Sequence, residues 1–129
     1  MTASYTLVLL PESYAIMQLA PGTVFDIKGG SETELLAVIH TSEETTVVCK
    51  EGLISKEKTV ERGWRVLKIA GSLDFKLVGV LASLLIPLAE ARVSVYTLST
   101  YSTDLILVKG NRLKTAIRTL KKAGHQILE

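Results

Sequence analysis

Between Arg65 and Leu128 the apolar residues switch between two spacings, and that switching leaves few folds open. Arg65–Ala70 (RVLKIA) sets Leu67 and Ile69 against Lys68, the two-residue period of a strand. Gly71-Ser72 makes a turn, and Asp74 is placed to cap a helix running through Phe75 to about Ala91. In that helix Phe75, Val78, Leu81, Ala82, Leu85, Leu88 and Ala89 recur at helical spacing and give one broad apolar face. Pro87 should kink it or mark its last turn. Val93–Leu98 and Leu105–Lys109 read as strands, and Asn111 as the N-cap of a helix over Arg112–Ala123. There Leu113, Ala116, Ile117 and Leu120 share one face, Gly124 ends the helix, and His125–Leu128 supplies a short last strand. The order β-α-β-β-α-β is the ferredoxin-like α+β arrangement, one sheet with both helices on a single face.

The N-terminal half has no such period. Tyr5–Leu10 and Tyr14–Leu19 read as strands around Pro11-Glu12-Ser13. Leu35–His40 and Thr45–Lys50 read as a hairpin across Thr41–Glu44. Pro21–Thr33 holds three glycines and no helical period, and Ser55–Val60 predicts one helical turn. The expectation is two domains: a strand-rich, irregular one over 1–61, a degenerate relative of the second, and a regular one over 62–129.

With 47% hydrophobic and 5% aromatic residues in a chain of 129, the core must be aliphatic, and disordered and disulfide-rich classes are excluded. Cys49, the single cysteine, reads as a small buried hydrophobe in TTVVCK rather than as a reactive thiol. The longest apolar run, Leu77–Ala89, is broken by Gly79, Ser83 and Pro87 and is too short for a bilayer span. Met1–Leu10 lacks the pattern of a secretory signal, so a soluble, cytoplasmic protein is expected. Charge is uneven. Through Arg62 there are nine acidic and five basic side chains, net −4; from Gly63 onward, four acidic and ten basic, net +6. Such halves attract each other within or between chains.

Catalytic signatures are missing: there is no phosphate loop, no Rossmann glycine run and no pair of carboxylates at catalytic spacing. His40 and His125 lie far apart and form no metal motif, and no cofactor or metal is expected. Two stretches carry more interest. Gly71-Ser72-Leu73-Asp74-Phe75 joins a strand to a helix, where backbone N–H groups can meet a carboxylate and Asp74 can meet an ammonium. Ser99-Thr100-Tyr101-Ser102-Thr103-Asp104 separates two strands; hydroxyls there can close a turn on their own backbone, or stand with Asp104 at the rim of a site.

Several of these residues also resemble a family. Glu61-Arg62-Gly63-Trp64-Arg65 leading into Leu67-Lys68-Ile69, then Gly71-Ser72-Leu73-Asp74-Phe75, then Ser99-Thr100-Tyr101 with Asp104 and Ile106-Leu107-Val108, is similar to small proteins built of two tandem ACT domains. Leu9-Leu10-Pro11 with Tyr14-Ala15 belongs to the same resemblance, which extends to the paired ACT domains of aspartate kinases and to ACT-repeat arginine sensors. It implies a regulatory, non-enzymatic protein that binds a small molecule, most often an amino acid, at an interface between ACT domains. The implied ligand residues are Gly71, Ser72, Leu73, Asp74 and Phe75, with Val93 opening the facing strand and Ser99, Thr100 and Asp104 beyond it. The chain departs from the commonest glycine-rich loop of the family by carrying Gly-Ser-Leu-Asp.

Open sheet edges need covering, so the expected assembly is a homodimer, with a regulated protein as a further partner. Two rivals remain: an interaction module that has lost its ligand, and nucleic-acid binding through Arg112, Lys114, Arg118, Lys121 and Lys122. The second is disfavoured, because base stacking on a sheet needs exposed aromatics and only Tyr96 could serve among these strands.

Overall fold

The computed structural model describes residues 3–25, 33–54, 59–74 and 77–129. The chain divides into two compact units, residues 1–11 with 65–129, and residues 12–64.

In the larger unit the elements are β1 (Thr6–Leu9), the end of β5 (Val60–Ile69), α1 (Val80–Glu90), β6 (Tyr96–Ser99), β7 (Asp104–Lys109), α2 (Leu113–Lys122) and β8 (Gln126–Leu128). The β-α-β-β-α-β order expected over 65–128 is thus present. The sheet runs β6-β7-β5-β1-β8 and is mixed. β1 lies antiparallel to β5, with Leu7 opposite Ile69, and parallel to β8, with Leu7 opposite Ile127. The first strand of the chain therefore belongs with the C-terminal segment, which differs from a division at 61/62. The reason is physical: Tyr5, Leu7 and Leu9 alternate onto the face that the helices cover, and Leu7 is fully buried there.

That face holds the core. Leu67, Ile69, Ile106, Val108 and Ile127 from the strands meet Val80, Leu84 and Leu88 of α1 and Ala116 and Leu120 of α2. Both helices lie on one face, as the pattern implied. α2 also keeps the expected phase, with Leu113 and Ile117 packed at the core margin. Its start is different: Gly110–Arg112 forms a 3-10 turn, and no side chain, Asn111 included, caps α2. α1 departs further. It begins at Val80 rather than after Asp74, its N-cap is Gly79 at φ 80°, and its buried residues are Val80, Leu84 and Leu88. Val78, expected on the inner face, is 95% exposed. A left-handed backbone at Gly79 cannot continue a helix from the preceding residues, so the register restarts there.

Pro87 lies inside α1 and leaves the Ser83 carbonyl without its helical donor. His125 replaces it. The imidazole is buried; its Nδ1 accepts from the Tyr5 N–H at 3.1 Å, which leaves the Nε2 proton to donate to the Ser83 carbonyl at 3.2 Å. The ring also stacks on Tyr5 with centroids 5.9 Å apart. One neutral histidine thereby joins the entry to β1, the middle of α1 and the start of β8.

The smaller unit comprises β2 (Tyr14–Leu19), β3 (Ala37–His40), β4 (Thr45–Lys50) and the first residues of β5, in the order β3-β4-β2-β5. β2 and β4 pair antiparallel from Tyr14 opposite Lys50 to Leu19 opposite Thr45. The β3–β4 hairpin expected across Thr41–Glu44 is present. Among the described residues this unit has strands and a 3-10 turn at Glu51–Leu53 but no α-helix. Met17, Val47 and Cys49 form its core, with Leu19, Phe25, Ile54 and Val60 packed against them. The pairing of β2 with β5 slips between Tyr14 and Ile16, a bulge served by Gly63 at φ 78°, whose N–H donates to Glu51 Oε1 at 2.9 Å. The helical turn expected at Ser55–Val60 falls mostly on residues outside those described, and Val60 itself is in β5.

Candidate functional site

The hairpin β6–β7 pairs Ser99 with Asp104 and leaves Thr100–Thr103 as its tip. The tip is closed by its own hydroxyls. The Thr100 N–H donates to the Thr103 carbonyl at 2.8 Å, and Thr100 Oγ1 accepts from the N–H groups of Ser102 and Thr103. Thr103 is 5% exposed, and its hydroxyl donates to the Ile69 carbonyl at the end of β5 at 2.8 Å. A buried hydroxyl satisfied in this way fixes the hairpin tip against β5. The loop after β5 is held as well, because the Leu73 N–H donates to the Ser102 carbonyl at 2.6 Å.

These bonds hold open a cleft of about 340 Å³ inside the larger unit. Its walls are Leu73 and Asp74 from the loop after β5, and Ser99 to Asp104 from the hairpin. Leu77, Gly79, Val80 and Leu81 close it at the start of α1. Asp74 is exposed and Asp104 half-buried, and Ser99 donates its hydroxyl proton to Asp104 Oδ1. Among the described residues the lining carries two carboxylates and no lysine or arginine. The first N–H groups of α1 have no intrahelical acceptor, so the end of the cleft at Gly79–Leu81 combines donors with a positive helix dipole.

The residues expected at a site are thus distributed as follows. Leu73, Asp74, Ser99, Thr100 and Asp104 share the cleft. Gly71, at φ 83°, and Ser72 are exposed in the preceding turn and do not line it. Val93 is buried in the core, its N–H donating to the Leu88 carbonyl at 2.9 Å. Phe75 lies outside the described residues. The helix N-terminus expected at Asp74–Phe75 stands instead at Gly79–Leu81, and borders the same cleft. Leu77, Gly79, Val80 and Leu81 were absent from the sequence-based set; the glycine before an apolar run was the available signal.

Other candidates resolve more plainly. Cys49 is fully buried and burial pushes its thiol upward, so the neutral, unreactive form is favoured. His40 is exposed and contacts the Thr45 hydroxyl at 3.1 Å. Among the described residues no three His, Cys, Asp or Glu side chains cluster as metal ligands, and no helix is long and apolar enough to cross a membrane.

A mixed sheet carrying two helices on one face, with a cleft where a strand–helix turn meets a hairpin tip, defines an α+β unit of split β-α-β order. Residues 59–122 match the ACT domain family. A relative from Rattus norvegicus, "Cytosolic arginine sensor for mTORC1 subunit 1", is 32% identical over 118 residues, which is 92% of this chain. The chain spans only 29% of that relative's length. Among solved structures, protein Atu0741 from Agrobacterium tumefaciens is 26% identical with a TM-score of 0.89, covering 98% of this chain and 94% of that one. The regulatory subunit of aspartate kinase from Thermus thermophilus shares the fold, with a TM-score of 0.64 at 11% identity, covering 95% of this chain and 99% of that one.

Proposed function

We propose that this chain is a non-catalytic regulatory protein that binds a free amino acid in the cleft between the Ser99–Asp104 hairpin and the start of α1. One observation carries the reading: two carboxylates, the hydroxyls of Ser99 to Thr103, apolar side chains and helix N–H donors converge in one cleft that has no basic side chain among its described lining residues. An α-ammonium suits Asp104 or Asp74, and an α-carboxylate suits the N–H groups at Gly79–Leu81. The arginine sensor among the relatives makes arginine the first amino acid to test, and the acidic lining is compatible with its guanidinium. In the same proposal the 12–64 unit is a degenerate ACT-like domain, the protein is cytoplasmic, and it works as a homodimer with a regulated protein as partner. Binding would act by favouring one packing of domains or subunits over another.

A second reading has its own support. The hydroxyls of Thr100 and Thr103 are engaged in holding the hairpin, and Ser99 is bonded to Asp104. The cluster would then be structural, and the protein an interaction module without a ligand. Thermal unfolding against each of the twenty amino acids separates the two. A ligand confined to the folded state raises the midpoint by mass action, whereas no shift with any amino acid leaves the structural reading. Asp104→Asn keeps an acceptor for Ser99. It should weaken binding of the identified amino acid by about 1.5–3 kcal/mol, the range for hydrogen bonds to charged groups, with an unchanged melting point for the free protein. Unchanged affinity in calorimetry would remove Asp104 from the site.

A further inference from the structure

The helix layer of the larger unit has an outer face that only half resembles a solvated surface. α2 presents Lys114, Arg118 and Lys121 outward, all exposed. α1, beside it on the same face of the sheet, has no charged side chain from Val80 to Ala89. Opposite its buried Val80, Leu84 and Leu88 stand Ala82, Ile86 and Ala89, with Ile86 58% exposed. A helix that is apolar all round is normally covered on every side. The layer therefore pairs an apolar ridge on α1 with a cationic side of α2, where Lys114, Arg118 and Lys121 stand with Ile117 and Glu129 around a separate cleft.

The complementary chemistry occurs elsewhere on the same chain. β3 is the outermost strand of the 12–64 sheet order; Leu36 just before it and Val38 and Ile39 within it are 36%, 37% and 41% exposed. Glu34 and Glu43, both exposed, stand at its two ends. Residues 12–64 carry nine acidic and five basic side chains; residues 65–129 carry four acidic and ten basic. An uncharged edge strand without proline lacks the usual protections against association. Pairing β3 with β3 of another copy would set Glu34 of one strand near Glu43 of the other, and like charges facing across strands are unfavourable.

We infer that a second copy of the chain covers the α1–α2 face, seating the Leu36–Ile39 edge on Ile86 and its terminal carboxylates on Lys114, Arg118 and Lys121. A twofold axis repeats this contact twice and leaves no open end. The inference rests on the dimer included in the proposed function and names its surface. Small residues at positions 82 and 89 leave Ile86 standing alone for another protein to pack against, whereas a membrane-seeking face would place Trp, Phe or Leu there.

Sedimentation equilibrium of the full chain tests it. The wild-type dimer should weaken by at least about tenfold in Kd between about 50 mM and 300 mM salt, as partly exposed charge pairs are screened. Ile86→Asp, the pair Lys114→Glu/Arg118→Glu and the pair Glu34→Lys/Glu43→Lys should each weaken it by about tenfold or more, with circular dichroism unchanged. Combining the two charge reversals should restore association, a result that general damage to folding would not give. A dimer untouched by every variant overturns this surface and leaves the dimer standing. A wild-type chain that stays monomeric at about 100 µM, some hundredfold above a micromolar Kd, overturns both. A wild-type monomer that floats with phosphatidylserine vesicles through Ile86 assigns the face to lipid and overturns it likewise.

Discussion

The two helices of the larger unit lie on the same sheet face and bury three and two residues respectively, yet only one of them has a phase visible in the sequence. In α2 the charged side chains at 114, 118, 121 and 122 mark the outside, so Ala116 and Leu120 can only face the core. In α1 apolar residues occupy every side, and the spacing that selects Leu81, Leu85 and Leu88 fits no better than the one that selects Val80, Leu84 and Leu88. Helical phase is legible where charge is tolerated, and it is lost where hydrophobicity is uniform.

The sharpest way to break this comparison is truncation on the two sides of α1. Leu84 is fully buried in the shared core, so Leu84→Ala should cost about 2–5 kcal/mol in urea unfolding. Leu120→Ala, its counterpart in α2, should fall in the same range. Ile86→Ala, measured on the monomer, should cost less than about 1 kcal/mol, because the side chain already meets solvent. Equal losses at 84 and 86 would mean that α1 sits in the phase first expected from the sequence.

A smaller effect sharpens the comparison through Pro87, a residue type α2 does not contain. Removing the imidazole in His125→Phe strands both the Tyr5 N–H and the Ser83 carbonyl, which should cost about 1–3 kcal/mol. Pro87→Ala returns an N–H to the Ser83 carbonyl, so the same histidine change should cost about 1 kcal/mol less in that background. Additive losses across the double-mutant cycle would show that His125 does not stand in for the helical donor.

Much of the larger unit was open to sequence reasoning for the reason α2 was: its strands and second helix each have a polar side. Two features were not. The alternation of Tyr5, Leu7 and Leu9 says that one face is buried, but nothing local says which sheet receives it; the pairing with Ile69 and Ile127 spans the length of the chain. Loop bonding was equally hidden. Ser99, Thr100 and Asp104 were legible as a polar cluster beside Leu73 and Asp74, and they do share a cleft. That Thr103 reaches Ile69 and that Ser102 holds Leu73 depends on contacts about 30 residues apart, the kind that only a folded chain brings together.

The smallest of these effects concerns where α1 begins, since that single difference moves the helix N-terminus from Asp74 to the wall of the cleft. Gly79 has φ 80° and its carbonyl accepts the Ser83 N–H at 3.0 Å, the first bond of the helix. A methyl group added there would meet no atom within 4 Å, so Gly79→Ala probes backbone strain alone. The left-handed conformation disfavours a β-carbon by about 1 kcal/mol, and the melting point should fall accordingly. Gly79→Asn should recover part of the loss, because asparagine enters this region more readily. A neutral or stabilising Gly79→Ala would mean that the turn relaxes into helix. α1 would then extend back toward Asp74, and the donors assigned to Gly79–Leu81 would be turned away from the cleft into helical bonds.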